Sequence, residues 1–119
     1  MRVLVLAVLL MPTLVRVAAA QSSFEIAGHR ISRGTVESFL APVADIQMPL
    51  TVVHGARPGP VLTLSAGIHG DEFPSILALQ QLRTSVAADQ LSGTLVLVHL
   101  ANVAGFRERR VAVNPSDGK

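Results

Sequence analysis

The hydrophobic pattern of the chain separates a β-rich region from a strand–helix–strand unit. Residues 24–54 contain short apolar and β-branched pieces punctuated by Gly28 and Gly34, which predicts antiparallel strands that form a sheet edge or a hairpin. Residues 55–60 contain two prolines and two glycines. That composition predicts a turn and excludes a helix or an inner strand there.

The second half of the pattern predicts an α/β fold. Residues 61–66 form a nearly continuous apolar run, which is typical of a strand covered on both faces. Residues 74–86 predict a helix, because Pro74 suits its first turn and apolar side chains recur every three or four positions: Ile76, Leu79, Leu82 and Val86. After a loop over 87–93, residues 94–100 predict a second buried strand. Such a βαβ unit is expected to be parallel, with a right-handed crossover.

The loop after the first of these strands carries the strongest chemical signal. Residues 67–72 read Gly-Ile-His-Gly-Asp-Glu, so an imidazole and a carboxylate lie three residues apart on a segment where Gly67 and Gly70 permit a tight turn. His69 and Glu72 are both ligands that zinc accepts, whereas a catalytic zinc normally has three protein ligands and an open position. The motif therefore predicts half of a zinc site.

The positions of the other polar residues indicate which of them could lie near this site. Ligands of open α/β sheets gather beyond the carboxyl ends of the strands, and residues 101–106 leave the second strand at the same edge as His69. The arginine-rich residues 107–110 that follow favour a solvated loop, or alternatively an arginine that binds a substrate carboxylate or an oxyanion. His29 and His54 lack an acidic partner at ligand spacing, so a structural or exposed role is expected for them.

The N-terminal segment predicts an export signal. An apolar run over residues 3–15 follows Arg2, and Ala18 and Ala20 fit the small-x-small pattern of signal peptidase sites, so residues 1–20 are expected to be removed. A membrane anchor is disfavoured, because the run is shorter than the roughly 20 residues of a spanning helix and contains Pro12. The mature protein is thus expected to be periplasmic or secreted, without a stable membrane anchor.

Composition excludes several function classes. Of the ten basic residues, Arg2 and Arg16 lie in the signal segment, so eight basic residues face eight acidic ones in the mature chain. This balance and the absence of Trp and Tyr do not support a nucleic-acid-binding protein. There is no cysteine, which excludes a thiol nucleophile, a thiolate metal site and disulfides.

Taken together, the motifs of residues 55–119 resemble one known family. The motifs are Gly55 with Pro58-Gly59-Pro60, the 67–72 loop, Gly93-Thr94-Leu95, Ala101-Asn102 with Phe106, an arginine at 109 or 110, and Asp117-Gly118-Lys119. In this order they are similar to the succinylglutamate desuccinylase/aspartoacylase family of the zinc carboxypeptidase superfamily. The resemblance implies a carboxypeptidase-like mixed sheet with flanking helices, of which this chain holds the part up to the first βαβ unit.

The resemblance also implies roles for particular residues. His69 and Glu72 would be zinc ligands, and the substrate arginine would fall at Arg109 or Arg110, with Arg109 preferred by counting back from Asp117. The family's further histidine ligand, its glutamate base and its asparagine–arginine pair have no counterpart in the chain. His99 departs from the family pattern, which more often has proline there, and a structural role is expected for it.

Three hypotheses about function remain after this comparison. In the first, residues 21–119 are the N-terminal part of an exported zinc-dependent hydrolase that cleaves an amide bond in a small N-acyl amino acid or peptide, incompetent by itself. In the second, they form a non-enzymatic metal- or ligand-binding module of the same fold. The third, a serine esterase with a His-Gly oxyanion loop, is disfavoured because there is no G-x-S-x-G and Asp71 and Glu72 would repel an oxyanion.

Overall fold

The computed structural model describes residues 23–111, in which strands and helices follow one another from an antiparallel N-terminal region into a βαβ unit. In chain order the elements are β1 (Ser23–Ile26), β2 (His29–Ser32), β3 (Thr35–Val43), β4 (Ile46–His54), β5 (Arg57–Ser65), α1 (Phe73–Ser85), β6 (Ser92–Val98) and α2 (Val103–Glu108). The expected signal segment 1–20 and residues 117–119 lie outside the described residues. None of the helices in the described part is long and apolar enough to cross a membrane.

The main sheet is mixed, as the sequence predicts. Its strand order is β3-β4-β6-β5, with β3–β4 and β4–β6 antiparallel and β5–β6 parallel. The predicted hairpins are confirmed twice, by β1–β2 and by β3–β4. The parallel β5–α1–β6 unit confirms the predicted βαβ unit, with α1 starting one residue before Pro74.

Alternate side chains of the central strands fill two apolar clusters, one on each face of the sheet. On one face Val53 and Leu97, both fully buried, pack with the α1 residues Ile76 and Leu79. On the other face Val52 and Val96 pack with Ile31 of the β1–β2 hairpin. The predicted helix stripe is therefore confirmed, and Leu82 and Val86 extend it as partly buried neighbours.

Strand β5 corrects two predictions. Residues 57–60 were expected to lie in a turn, yet β5 begins at Arg57, and only residues 55 and 56 separate it from β4. Within the described sheet β5 is an edge strand, where a proline without an N–H is tolerated, and its register shifts between Arg57 and Val61. The expectation that this strand is covered on both faces is also wrong for the described residues, since Val61 and Leu62 are each 56% exposed.

The segment after β6 is also more regular than predicted. β6 ends at Val98, two residues earlier than expected, so His99 follows the strand instead of lying within it. Helix α2 occupies residues 103–108, so Arg107 and Glu108 are helical where a solvated loop was expected over residues 107–110. The Asn102 side chain caps this helix by accepting a 2.8 Å hydrogen bond from the Gly105 backbone N–H, and Arg109 ends it in the left-handed conformation.

Backbone contacts join the loop after β5 to the loop after β6. The Ala101 N–H donates to the Ala66 carbonyl at 2.9 Å and the Asn102 N–H donates to the Gly67 carbonyl at 2.8 Å. Farther along, the Gly70 N–H donates to the Arg110 carbonyl at 3.1 Å. A Cβ at Gly70 would lie under 3.0 Å from backbone atoms of Gly105 and Arg110, so the loops approach each other as closely as a glycine allows.

A polar chain crosses the α1 face of the sheet from the buried residues His99 and Thr51 to the exposed Ser38. His99 is 6% exposed, and its Nε2 is hydrogen-bonded to Thr51 Oγ1 at 2.8 Å, which in turn is hydrogen-bonded to Ser38 Oγ at 2.7 Å. Among the described residues the buried His99 Nδ1 has no partner. Burial and, secondarily, the charge of Arg83 lower the pKa of His99 below its usual value, because a second N–H and a positive charge would be left unsolvated.

We expect the free energy of unfolding to fall as the pH is lowered through the ordinary histidine range near 6.5. The unfolded chain takes up a proton on His99 there while the folded chain does not, so protonation favours the unfolded state, by at most about 1.4 kcal/mol per pH unit for this one group. Urea denaturation followed by circular dichroism at several pH values measures the slope. His99→Leu should remove its contribution, whereas Ser38→Ala keeps the histidine and should keep the slope. An unchanged slope in His99→Leu would contradict the assignment.

Gly70→Ala should destabilise the chain by roughly 1 to 3 kcal/mol, because the added methyl group overlaps the α2 backbone and pushes the two loops apart. Gly28→Ala is the control: its Cβ meets nothing within 4 Å, although a positive φ adds strain of roughly 1 to 2 kcal/mol. Amide ¹H–¹⁵N spectra distinguish the two variants. Signals of residues 66–72 and 101–110 should shift together in Gly70→Ala and stay in place in Gly28→Ala. Unmoved signals in Gly70→Ala would mean that the loops are not in contact there.

Candidate metal centre

His69 and Glu72 meet in the loop between the end of β5 and the start of α1. The His69 Nδ1 lies 2.8 Å from Glu72 Oε1, and the His69 backbone N–H donates to Glu72 Oε2 at 3.2 Å. Glu72 is the residue immediately before α1, so the helix start sets the position of its carboxylate. Gly67, with φ of +63°, turns the chain out of the strand. The structure thus brings the two residues together as their spacing predicts.

The hydrogen bonds around Glu72 favour its ionised form. The His69 backbone N–H and, next, the His69 side chain lower the pKa of the Glu72 carboxyl below its usual value, since both interact better with a carboxylate than with the neutral acid. The pair is only partly covered, with side chains 49% and 40% exposed for His69 and Glu72. A carboxylate and an imidazole nitrogen that face each other at the surface are donors that a divalent zinc ion can use.

Ser75 stabilises the loop, although it lies outside the 67–72 motif and was not predicted as a site residue. Its hydroxyl donates to the Glu72 carbonyl at 2.8 Å and accepts from the Gly67 backbone N–H at 3.4 Å. This one side chain therefore ties both ends of the 67–72 turn to the first turn of α1. The signal in the sequence is a serine three residues after Glu72, at the start of the helix.

The other histidines lie elsewhere. The Nδ1 of His54, which is buried, is hydrogen-bonded to Thr94 Oγ1 at 2.8 Å, His99 belongs to the polar chain through Thr51, and His29 stacks on Phe39 with ring centroids 3.7 Å apart. Within residues 23–111 no group of three or more histidine, cysteine, aspartate or glutamate side chains could hold a metal ion. The donor set of this part of the chain therefore fits two of the three protein ligands of a catalytic zinc.

The two candidate arginines point to different surroundings. Arg109 lines a concave pocket of about 480 Å³ together with Asp71, Arg107 and two aromatic rings. Those rings, Phe73 and Phe106, meet edge to face with centroids 5.7 Å apart. The side chain of Arg110 instead forms an exposed ion pair with Glu108 at 3.6 Å, while its backbone carbonyl holds Gly70. The substrate role predicted for an arginine has its better-placed candidate in Arg109.

Comparisons with known proteins agree with this architecture. Residues 58–116 match the model of the succinylglutamate desuccinylase/aspartoacylase catalytic domain. Over 73 residues the chain is 34% identical to the N-alpha-acetyl-L-2,4-diaminobutyric acid deacetylase of Halomonas elongata. The aligned segment covers 61% of this chain and 21% of that protein. The chain thus spans about a fifth of the length of this curated relative.

Solved structures give the same result for the fold. A product-bound structure of the ectoine utilization protein EutE (DoeB) from Ruegeria pomeroyi has a TM-score of 0.61 and 27% identity, covering 74% of this chain and 29% of that one. A succinylglutamate desuccinylase from Silicibacter sp. has a TM-score of 0.59 and 26% identity, covering 71% and 28%. A succinylglutamate desuccinylase/aspartoacylase from Rhodobacter sphaeroides has a TM-score of 0.60 at 22% identity, with the same coverage, and supports the fold alone.

These findings confirm the resemblance inferred from the motifs and the predicted carboxypeptidase-like mixed sheet with flanking helices. Through residues 58–116, the chain belongs to the succinylglutamate desuccinylase/aspartoacylase family.

Proposed function

We propose that the whole protein is a zinc-dependent hydrolase that removes an acyl group from the amide nitrogen of a small, carboxylate-bearing N-acyl amino acid. The observation that carries the proposal is the His69–Glu72 pair, in which Nδ1 and Oε1 face each other at 2.8 Å beyond the carboxyl end of β5. The described residues fit two of three zinc ligands, so a third donor must come from outside residues 23–111.

The relatives support this reaction class and the size of the substrate. The Halomonas elongata protein is named as a deacetylase of an N-acetylated diamino acid, and the Ruegeria pomeroyi protein is an ectoine utilization protein. Both names indicate small amino-acid derivatives. On this basis N-acetyl-L-2,4-diaminobutyrate is the first substrate to assay.

Each of these residues would have a separate role in the reaction. His69 and Glu72 would hold zinc, and Ser75 and the α1 start would keep the two donors in place. When bound, zinc supplies a Lewis acid for the acyl carbonyl. Arg109, whose side chain has no ion-pair partner within 4.0 Å among the described residues, would bind the substrate carboxylate or stabilise negative charge on the carbonyl oxygen.

A non-enzymatic metal- or ligand-binding module is the second candidate. It is favoured by the same count of donors, because two ligands on an exposed loop can hold a metal weakly without activating it. Tight zinc binding without hydrolysis would support this candidate, whereas turnover that depends on His69 would exclude it.

In the whole protein, His69→Ala and Glu72→Gln should each lower zinc affinity by more than roughly tenfold, because loss of a direct ligand costs at least as much as loss of a residue that merely supports one. Competition titration with a chromophoric zinc chelator measures the affinity. His29→Ala is the matched control, since it removes a histidine stacked on Phe39 and should leave zinc binding unchanged. The 119-residue chain alone should bind zinc more weakly than the whole protein. Unaltered affinity in both loop variants would contradict the proposed site.

We also propose that the protein is exported, on the basis of residues 1–20. Expression of the whole protein with its own N-terminus, followed by cell fractionation and mass spectrometry, tests this. The expected product is found outside the cytoplasm and begins at Gln21, after the Ala18-x-Ala20 pattern. Ala20→Arg should block cleavage, because a large charged side chain replaces the small one next to the cut. A cytoplasmic product that retains Met1 would contradict export.

A further inference from the structure

Another pocket, the β5-start pocket, lies at the end of β5 opposite to the candidate metal centre. It lies where the two parallel strands begin, since Arg57 is the first residue of β5 and Ser92 the first residue of β6. The nine residues of β5 separate it by roughly 25 Å from the end of the strand at Ser65. The described residues that line it include two arginines and no acid: Phe24, Arg33, His54, Arg57, Pro58, Gly59, Val61, Gly93 and Thr94.

Hydrogen bonds hold the guanidinium group of Arg57 beside this pocket. Its Nε donates to Ser92 Oγ at 3.0 Å, and its Nη2 donates to the Gln90 carbonyl. These contacts use two of the five N–H donors of a guanidinium group. Among the described residues no ion pair within 4.0 Å involves Arg57. Its positive charge is therefore held in place by uncharged groups and can pair with an anion.

Arg33 lines the same pocket from another part of the chain. It follows β2, it is half-buried, and its Nη1 donates to the carbonyl of Ala56, the residue before Arg57, at 3.4 Å. Two guanidinium groups in one concavity, with no carboxylate among its described lining residues, create a positive potential there. The N–H donors of a guanidinium group form a fork that matches two oxygens of a carboxylate or a phosphate. The residue types therefore indicate an anion as the ligand.

The rest of the lining is fixed and leaves little room. The Nδ1 of the buried His54 is hydrogen-bonded to Thr94 Oγ1 at 2.8 Å, and the ring of Phe24 lies 6.0 Å from the His54 ring. A Cβ at Gly59 would lie 2.6 Å from the Gly93 nitrogen, so the starts of β5 and β6 are in close contact. The volume of about 170 Å³ is below the roughly 300 to 1,000 Å³ of drug-sized sites. The pocket thus suits a single small anionic group.

We propose that the β5-start pocket binds a doubly charged oxyanion, phosphate or sulfate, between the guanidinium groups of Arg33 and Arg57. Two cationic groups balance both negative charges of such an ion, whereas a carboxylate would balance only one of them. The bound anion joins the segment after β2 to the start of β5, so it also stabilises the attachment of the β1–β2 hairpin to the main sheet. The site is separate from the His69–Glu72 pair and does not depend on the proposed reaction.

Isothermal titration calorimetry on the whole protein tests the site, with sodium phosphate, sodium sulfate and sodium acetate as probes. The ionic strength is held constant with chloride, above neutral pH, where phosphate carries two charges. We expect phosphate and sulfate to bind and acetate to bind at least roughly tenfold more weakly, since a charge-assisted hydrogen bond is worth about one order of magnitude or more. Arg57→Gln and Arg33→Gln should each lower the phosphate affinity by a similar factor. Arg30→Gln is the control, because it removes an exposed arginine of β2 that pairs with Glu25.

Amide ¹H–¹⁵N spectra of the unmodified whole protein locate the bound anion without relying on any variant. Addition of phosphate should shift the signals of residues 55–59 and 92–94, which form the start of β5 and of β6. Signals of residues 67–72 should stay in place, because they lie at the other end of β5. Shifts confined to residues 67–72 would overturn the proposed site.

The other outcomes are equally decisive. Absence of saturable phosphate and sulfate binding, an equal affinity for acetate, or an affinity that survives in both Arg33→Gln and Arg57→Gln would overturn the proposal. An equal loss in Arg30→Gln would do so too, since it would indicate diffuse surface attraction. O-phospho-L-serine distinguishes the source of the anion: weaker binding than phosphate supports a free ion, and equal or tighter binding supports a phosphate group of a larger molecule in the same site. Hydrolase activity is assayed separately, and its loss or retention has no bearing on this site.

Discussion

The parallel pairing of β5 with β6 fixes the direction in which both strands end, and the candidate centre depends on that direction. Ser65 pairs with Val98, so the chain leaves both strands at the same level of the sheet. The loops that follow are then close enough for the Ala101 and Asn102 N–H groups to donate to the Ala66 and Gly67 carbonyls. An antiparallel pairing would place the two exits at opposite ends. The loop that carries His69 and Glu72 lies against the end of α2 because α1 returns the chain to start β6 beside the start of β5.

Within this arrangement the backbone does most of the positioning. Gly70 donates to the Arg110 carbonyl and has no room for a side chain, so the loop that carries His69 and Glu72 lies directly against the end of α2. The side chains of Asp71 and Arg109 project from these two backbone segments into one pocket without pairing. Both residues belong to segments that the Gly70–Arg110 backbone hydrogen bond ties together, Asp71 before α1 and Arg109 at the left-handed end of α2.

The sequence predicted the parts of the fold that follow from local pattern. The α1 stripe, the β5–α1–β6 unit and the His69–Glu72 contact were all accessible, since each depends on spacing along a few residues. The pattern of residues 57–60 was misinterpreted, because prolines exclude an inner strand but not an edge strand, and strand order is a tertiary property. Helix α2 was not predicted, because six residues are too few to show a helical period and the helix is stabilised by the hydrogen bond of its cap, Asn102. Counting back from Asp117 favoured Arg109 over Arg110, but that spacing could not predict that Arg109 lies at the left-handed end of α2.

The two neighbouring acids of the loop, Asp71 and Glu72, have different surroundings. The hydrogen bonds that lower the pKa of Glu72 come mainly from His69, through its backbone N–H and its ring, and to a smaller extent from the Ile68 backbone, so this carboxylate is held in its contact with His69. Asp71 shares neither contact, and its side chain faces the pocket with Phe73 and Phe106. Two neighbouring acids on one loop therefore have different environments: one is held by an imidazole at the end of β5, and the other is free of protein ion pairs among residues 23–111. A cation held by Glu72 would therefore leave the Asp71 carboxylate exposed to the pocket, so the two acids need not serve the same ligand.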